Sequence, residues 1–296
     1  MKIYTTYKVK MKGFNHIFKD TISIYREAVD YLLTVCYDNW DKISQLNGNR
    51  KLSLVEHLVH RTKDNPHPAY DFDSKFYKLP SYLRRGAINE AIGKIASYTS
   101  SLDNWKKKCK GKKPSFPKAG YVYPCMYRSV MFRTVDKYTA QVKVYIRNTW
   151  DWITVSLRRS DMDYIYKHCN DRKMCAPTLQ KRGKEWSLDF PFEEETKLTN
   201  ENVFEQTIVA VDLGINTAAT ISVIRSDGTI IGRHFCKIPK ETDRLTHSVN
   251  RIKKAQQYGN SKTPRLWARA KGINHDIACK TANYLSLIHI SEPTRL

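Results

Sequence analysis

Residues Ile3 to Met11 alternate apolar and polar side chains, the period of a strand with one covered face, and Gly13 interrupts the pattern. From Ile24 the period becomes helical, with Ile24, Ala28, Tyr31, Leu32, Val35 and Ile43 recurring on one face. A second, shorter helix is predicted to start at Ser53, where Ser53 and Glu56 have capping-box spacing before Leu58. A third follows Pro80 and Ser81, with Ile88, Ala91, Ile92, Ile95, Tyr98, Leu102 and Trp105 in one stripe. Residues 14–106 thus read as a helical block, and its aromatic stripe reads as core rather than as a base-stacking surface.

Downstream the period shortens to two. In "YTAQVKVYIR", Ala140, Val142, Val144 and Ile146 share one face, and Gln141, Lys143, Tyr145 and Arg147 the other. "WITVSL" and "KEWSLDFPF" repeat the pattern, the latter through Trp186, Leu188, Phe190 and Phe192. A β-rich module from about residue 112 to 195 follows, split by a short helix near Ser160 to Cys169. The strand at 3–11 has no local partner and is expected to join this module, which makes the helical block an insertion. The acidic, turn-rich interval Phe192 to Asn202 is the expected domain boundary. Three strands come next, Thr207 to Asp212, Ala218 to Ile224 and Thr229 to Phe235, the last two joined by the hairpin signal "RSDG". Beyond Pro239 the helical period returns, through Leu245, Val249 and Ile252 and on through Leu266, Ala270, Ile273, Ile277 and Tyr284.

Composition adds a partner class. The 296 residues are enough for two domains, and 41% hydrophobic with 27% charged residues describes a soluble globular chain. A formal net charge of +22 attracts polyanions, nucleic acid first among them. Two stretches concentrate it. Residues 106–113 hold six lysines in eight positions, making Lys107, Lys108, Lys110, Lys112 and Lys113 candidate phosphate contacts, with a solvated linker as the alternative. Lys237 to Tyr284 carries eleven Lys/Arg against three acids, and Arg244, Arg251, Lys254, Arg265, Arg269 and Lys271 are the candidates there. Seven cysteines without a C-x-x-C pair argue against a disulfide framework or a complete zinc site and fit a reducing cytoplasm. The N-terminus has no apolar signal core, and no run approaches a membrane span.

The candidate chemistry centres on "IVAVDLGINTAATISVI", where Asp212 ends an apolar run and Gly214 lets a ligand approach the backbone. The run is expected to be a buried strand with Asp212 at its carboxyl end, where α/β sites sit. Three readings share that pattern: a carboxylate capping a turn, a phosphate-contacting turn of an actin-like ATPase, and the first acid of an RNase H-like nuclease. In the last, several carboxylates hold two divalent ions that act on a phosphodiester.

The segments "VAVDLGINTAATISV", "DGTIIGRHF", "NRIKKAQQ" and "RLWARAKGINHDIACKTANYL", in that order, resemble the TnpB (OrfB) proteins of insertion sequences, and "GKKPSFP" and "LQKRGKEWSLDFPFEEE" are similar to the segments before that family's nuclease domain. The resemblance implies a transposon-encoded, RNA-guided DNA endonuclease related to type V CRISPR effectors, with guide RNA and target DNA as partners. It implies an α+β multidomain fold: a β-barrel-like wedge domain over 1–13 and 107–200, a helical recognition insertion over 14–106, and the N-terminal part of a RuvC (RNase H-like) domain over 201–284. It also implies that Asp212 is a metal ligand for Mg2+ or Mn2+. The family's second and third acids and its zinc cysteines have no counterpart here. Residues 285–296, "LSLIHISEPTRL", instead read as the in-frame translation of a transposase-based sequencing adapter. The expectation is a C-terminally truncated copy without a zinc site that binds nucleic acid and does not cut. A non-catalytic regulator of transposition and, more remotely, an actin-like ATPase are the alternatives.

Overall fold

A computed structural model describes residues 2–12, 17–108, 111–196, 202–260 and 262–291, with the side chains of residue 203 and residues 287–291 outside the description. The chain is a mixed α/β protein of two compact units, Met1–Thr196 and Lys197–Leu296.

The first unit opens with β1 (Lys2–Lys10) and continues through five helices: α1 (Ile17–Asp38), α2 (Trp40–Ser44), α3 (Gly48–Val59), α4 (Phe72–Lys75) and α5 (Ser81–Lys108). Helix α1 buries a continuous stripe from Phe18 through Ala28, Leu32 and Cys36, and α5 meets it with Leu83, Ala87, Ile88, Ala91 and Ile95. Burial of this order pushes the Cys36 thiol up to about 12, which makes it a packing group and not a nucleophile at neutral pH. The short second helix differs from the capping-box expectation. Helix α3 begins at Gly48, after an extended Asn47 (φ −104°, ψ 144°), and Ser53 lies inside it.

Strands β2 (Phe132–Asp136), β3 (Thr139–Ile146) and β4 (Thr149–Ser156) form one antiparallel sheet; Ala140, Val142 and Val144 turn inward toward α1. The buried Thr21 hydroxyl joins the layers, donating to the Ile17 carbonyl (3.2 Å) and accepting the Tyr145 N–H (2.9 Å). After α6 (Arg159–His168) come β5 (Lys173–Met174), β6 (Thr178–Arg182) and β7 (Glu185–Glu195). Strand β7 is central to a second sheet: β1 pairs with it antiparallel from Lys2↔Glu195 to Lys10↔Ser187, and β5 and β6 pair with it as well. The early strand therefore finds its partner about 180 residues later, in the sheet of β7 and not in that of β3. One hydrophobic core runs through the helices and both sheets.

The second unit contains β8 (Thr207–Asp212), β9 (Ala219–Arg225) and β10 (Ile230–Cys236), an antiparallel meander in the order β10-β9-β8, followed by α7 (Pro239–Gln257) and α8 (Pro264–Ser291). Its small core joins Ala219, Ile221 and Cys236 to Ile238, Tyr284 and Leu285, so the end of α8 covers one face of β9 and β10. Helix α8 runs on through residues 285–291; residues 292–296 of the adapter-like tail lie outside the described residues. No described helix is long and apolar enough to cross a membrane.

Candidate nucleic-acid interface

Asp212 is the last residue of β8, paired across to Thr220 on β9, which in turn faces Phe235 on β10. Side chains alternate across a strand, so Asp212, Thr220 and Phe235 form one row on the sheet face opposite the small core, and Ala210, Ser222 and Arg233 form the next. The expectation of a buried strand is corrected here: all six residues of β8 are exposed. Among the described residues β8 pairs only with β9, and the helix that covers the meander packs on β9 and β10. Apolar composition invites cover but does not supply it.

The turn after Asp212 requires its glycine, because a Cβ at Gly214 would lie 2.9 Å from the Thr217 carbonyl oxygen. Asp212 does not cap this turn: among the described residues its carboxylate accepts no hydrogen bond and joins no ion pair. Other aspartates in turns of this chain behave differently. Asp227 accepts the Thr229 N–H (2.8 Å), and that bond holds its carboxyl below the usual range; Asp136 accepts the Tyr138 N–H (2.7 Å) with the same result.

Helix α7 presents Arg244, Arg251 and Lys254 within an arc of about 80°, all exposed and none ion-paired among the described residues. The inner stripe of the helix is Glu241, Ser248 and Ile252. Glu241 holds an ion pair with Lys280 of α8, which makes Lys280 a structural cation of the hairpin. On α8, Arg265 and Arg269 are exposed about 40° apart, whereas Lys271 is exposed about 160° away from Arg269. The structure thus separates Lys271 from the pair with which the sequence grouped it. It adds Lys240, exposed one turn before Arg244 on the same arc, which the i, i+4 spacing was enough to reveal.

In the first unit Lys107 and Lys108 end α5, and Lys112 and Lys113 lie in the extended segment beyond it; all four are exposed, and Lys110 lies outside the described residues. The segment folds back on α5, with Trp105 Nε1 donating to the Gly111 carbonyl (3.1 Å). Further along, Ala119 N–H donates to Asp30 (2.6 Å) and Arg26 donates to the Val122 carbonyl (3.0 Å), which ties the segment to α1. Tyr37, Tyr98 and Phe116 then meet edge to face, at ring separations of 5.4 to 5.9 Å. The sequence reading placed Tyr98 in a core stripe; it is only half-buried, at the edge of a groove.

Residues 5–146 match the Aq_aa04 family. Over 146 residues the chain is 27% identical to "Uncharacterized protein aq_aa04" of Aquifex aeolicus (strain VF5), covering 44% of this chain and 80% of that protein. Among solved structures, a Cas12f1–sgRNA–target DNA complex is similar at a TM-score of 0.41 and 10% identity, over 89% of this chain and 58% of that one. A CRISPR–Cas12f ternary complex is similar at 0.32 and 10%, over 91% and 56%. The chain spans less than two thirds of the length of either solved neighbour. The family match ends in β3 and does not reach Asp212 or the basic helices.

Two divalent ions need several oxygen ligands, and Mg2+ alone demands near-octahedral coordination. Among the described residues no three of His, Cys, Asp and Glu come together as a metal-holding group. The side chains around Asp212 therefore do not fit a two-ion centre.

Proposed function

We propose that the chain is a TnpB-like, transposon-associated nucleic-acid-binding protein with guide RNA and target DNA as its partners. In this reading its second unit carries, in Asp212, the first metal-binding carboxylate of a RuvC-type, RNase H-like nuclease. Metal-dependent DNA cleavage needs further acids beside Asp212, so the 296-residue chain binds without cutting. The observation that carries the reading is the state of Asp212: exposed, without a hydrogen bond or ion pair among the described residues, at the end of the first strand of a meander, just before a glycine that the turn geometry demands. A capping carboxylate would accept the next backbone N–H groups, as Asp227 does. The motifs flanking Asp212, the exposed cations of α7 and α8, and a helical bundle inserted between the paired strands β1 and β7 support the same family reading.

The test is a gel-shift and cleavage assay on the purified chain with structured RNA, duplex DNA and added Mg2+ or Mn2+. Binding without cleavage is expected, and Asp212→Asn should leave binding intact. Metal-dependent cleavage that disappears in Asp212→Ala would refute the non-cutting claim, and failure to bind either polymer at 100 mM salt would refute the whole reading.

A further inference from the structure

The two sheets of the first unit treat their cations differently. Around β7, Lys2, Lys10 and Arg182 each reach a carboxylate of that strand, Glu193, Glu185 and Asp189, at 2.6 to 3.0 Å. In the sheet of β2, β3 and β4, neither Arg133 nor Lys143 joins an ion pair among the described residues. The strand register puts these two cations on one face. Arg133 lies across from Gln141, Lys143 from Trp152 and Tyr145 from Trp150. Cross-strand partners share a face, and Ala140, Val142 and Val144 take the covered one, so these six side chains make up the other. Arg133 is exposed and the other five are half-buried.

Aromatic rings occupy the places that acids take on the other sheet. The Arg133 guanidinium sits over the Trp152 ring, 4.1 Å from its centroid, and its Nε donates to the Ser129 carbonyl (3.3 Å). The Tyr145 and Trp150 rings meet edge to face at 5.6 Å, one row further along. Residues 132–156 contain two acids, and neither neutralises this face. Asp151 lies across from Val144, on the opposite side of the sheet, and Asp136 accepts the Tyr138 N–H (2.7 Å) in the turn before β3.

From this arrangement we infer that the outward face of β2, β3 and β4 binds an unpaired nucleic-acid strand, with the Arg133–Trp152 pair at its centre. The inference rests on the proposed nucleic-acid function and assigns it a site in the first unit. Two cations left without acids complement a polyanion, and an aromatic ring carrying a guanidinium complements a flat base. A single nucleic-acid strand presents both groups together, phosphates along its chain and base faces beside them. A duplex keeps its base faces stacked inside, so it can use the cations of this face and not its rings.

The test uses the full chain with fluorescein-labelled 12-residue oligouridylate and oligothymidylate and a 12-base-pair duplex, read by anisotropy at several KCl concentrations. Both single strands should bind, the tighter showing whether the natural strand is RNA or DNA. Arg133→Gln with Lys143→Gln should weaken them and flatten the slope of log K against log salt by about 1.4, at about 0.7 per phosphate contact. Lys2→Gln, on the sheet whose cations are paired, should leave that slope unchanged. Trp152→Leu should weaken single-strand binding about 5- to 100-fold, the range for one stacked base, and leave duplex binding unchanged. The thermal midpoint of each variant separates a lost contact from a failed fold, and the charge variant alters only polar ends of side chains. If the chain binds nucleic acid but the charge variant keeps its affinity and slope, the assignment to this face falls and the general function stands. If Trp152→Leu weakens the duplex as much as the single strands, or neither, the assignment to an unpaired strand falls. If a polyglutamate peptide competes as well as the oligonucleotides, the face takes acidic chains of any kind and the nucleic-acid assignment falls. If the wild-type chain binds none of the three probes, the function and the face fall together.

Discussion

The exposed arc of α7 gives a measurable electrostatic consequence. Arg244, Arg251 and Lys254 span ten residues, about 15 Å along the axis at 1.5 Å per residue, on one side of the helix. None spends its charge on an ion pair among the described residues, so each is free to displace a counterion from a phosphate. Neutralising all three as Arg244→Gln, Arg251→Gln and Lys254→Gln should flatten the slope of log K against log salt by about 2 to 3, at about 0.7 to 0.9 per phosphate contact. Between 50 and 200 mM salt, a fourfold change, the wild type should therefore lose about 20- to 40-fold more affinity than the variant loses. Fluorescence anisotropy at several KCl concentrations measures this directly. Lys280→Gln is the control, because Lys280 is committed to Glu241 and should change stability more than slope. An unchanged slope in the triple variant, with helicity preserved, would show that this arc does not touch the phosphate chain.

Two further outcomes concern stability. Arg84, with its side chain 8% exposed, donates to Glu56 (3.0 Å) and has Asp73 only at 4.0 Å, so Glu56→Ala leaves a buried guanidinium nearly unpartnered. The expected cost is about 2 to 4 kcal/mol, a fall of roughly 5 to 15 °C in the first unit's thermal midpoint, partly relieved by adding Arg84→Met; a loss under about 0.5 kcal/mol would mean that Arg84 is hydrated. The hydrogen bond from Lys280 holds the Glu241 carboxyl below its ordinary value of 4.5. The folded state then binds that proton less readily than the unfolded chain, so the contribution is present above about pH 4.5 and is lost as the pH falls through the lowered value. Urea unfolding of the second unit from pH 6 to pH 3 should show this dependence, and Lys280→Gln should weaken it by removing the largest of its causes.

What the sequence made legible was whatever one-sided burial imposes locally. Helix α1, helix α5 and strand β3 show their periods because each has one covered face. Strand β7 shows the limit. Its alternation places Ser187 and Asp189 outward, yet five successive residues from Trp186 to Phe190 are buried. The distant β1 flanks one edge and the hairpin partner β6 the other; the Ser187 hydroxyl (2.9 Å) and Arg182 (3.0 Å) nearby in sequence satisfy Asp189, but the cover from β1, about 180 residues away, is something no local pattern contains. The capping-box motif at Ser53 failed for a related reason: a residue spacing says nothing about whether the backbone there is extended, and here Asn47 is the extended residue. The groove was hidden because Tyr98 continues an apolar stripe whose far end simply runs out of cover.

Asp212 joins both sides of that argument. Its identity as a candidate was legible, since a carboxylate, a glycine and three strands in this order constrain the chemistry. Its environment was not. Ile208, Val209 and Val211 are each more than 40% exposed, so the strand leading to Asp212 borders water where the sequence pointed to a dry interior. In bulk water two unit charges 4 Å apart attract by only about 1 kcal/mol, against about 4 kcal/mol near a protein surface of lower effective dielectric. A divalent ion beside this one hydrated carboxylate therefore gains roughly 2 kcal/mol, less than the ordering of a two-ion centre demands. In the proposed reading, metal binding at Asp212 would need further acids and apolar cover over its face of β8 that lowers the local dielectric. Cover on that face would bury Ile208 beside Asp212, whereas Val209 and Val211 point to the other face, that of the small core, so the exposure of the two valines and the hydration of the carboxylate are separate properties of β8.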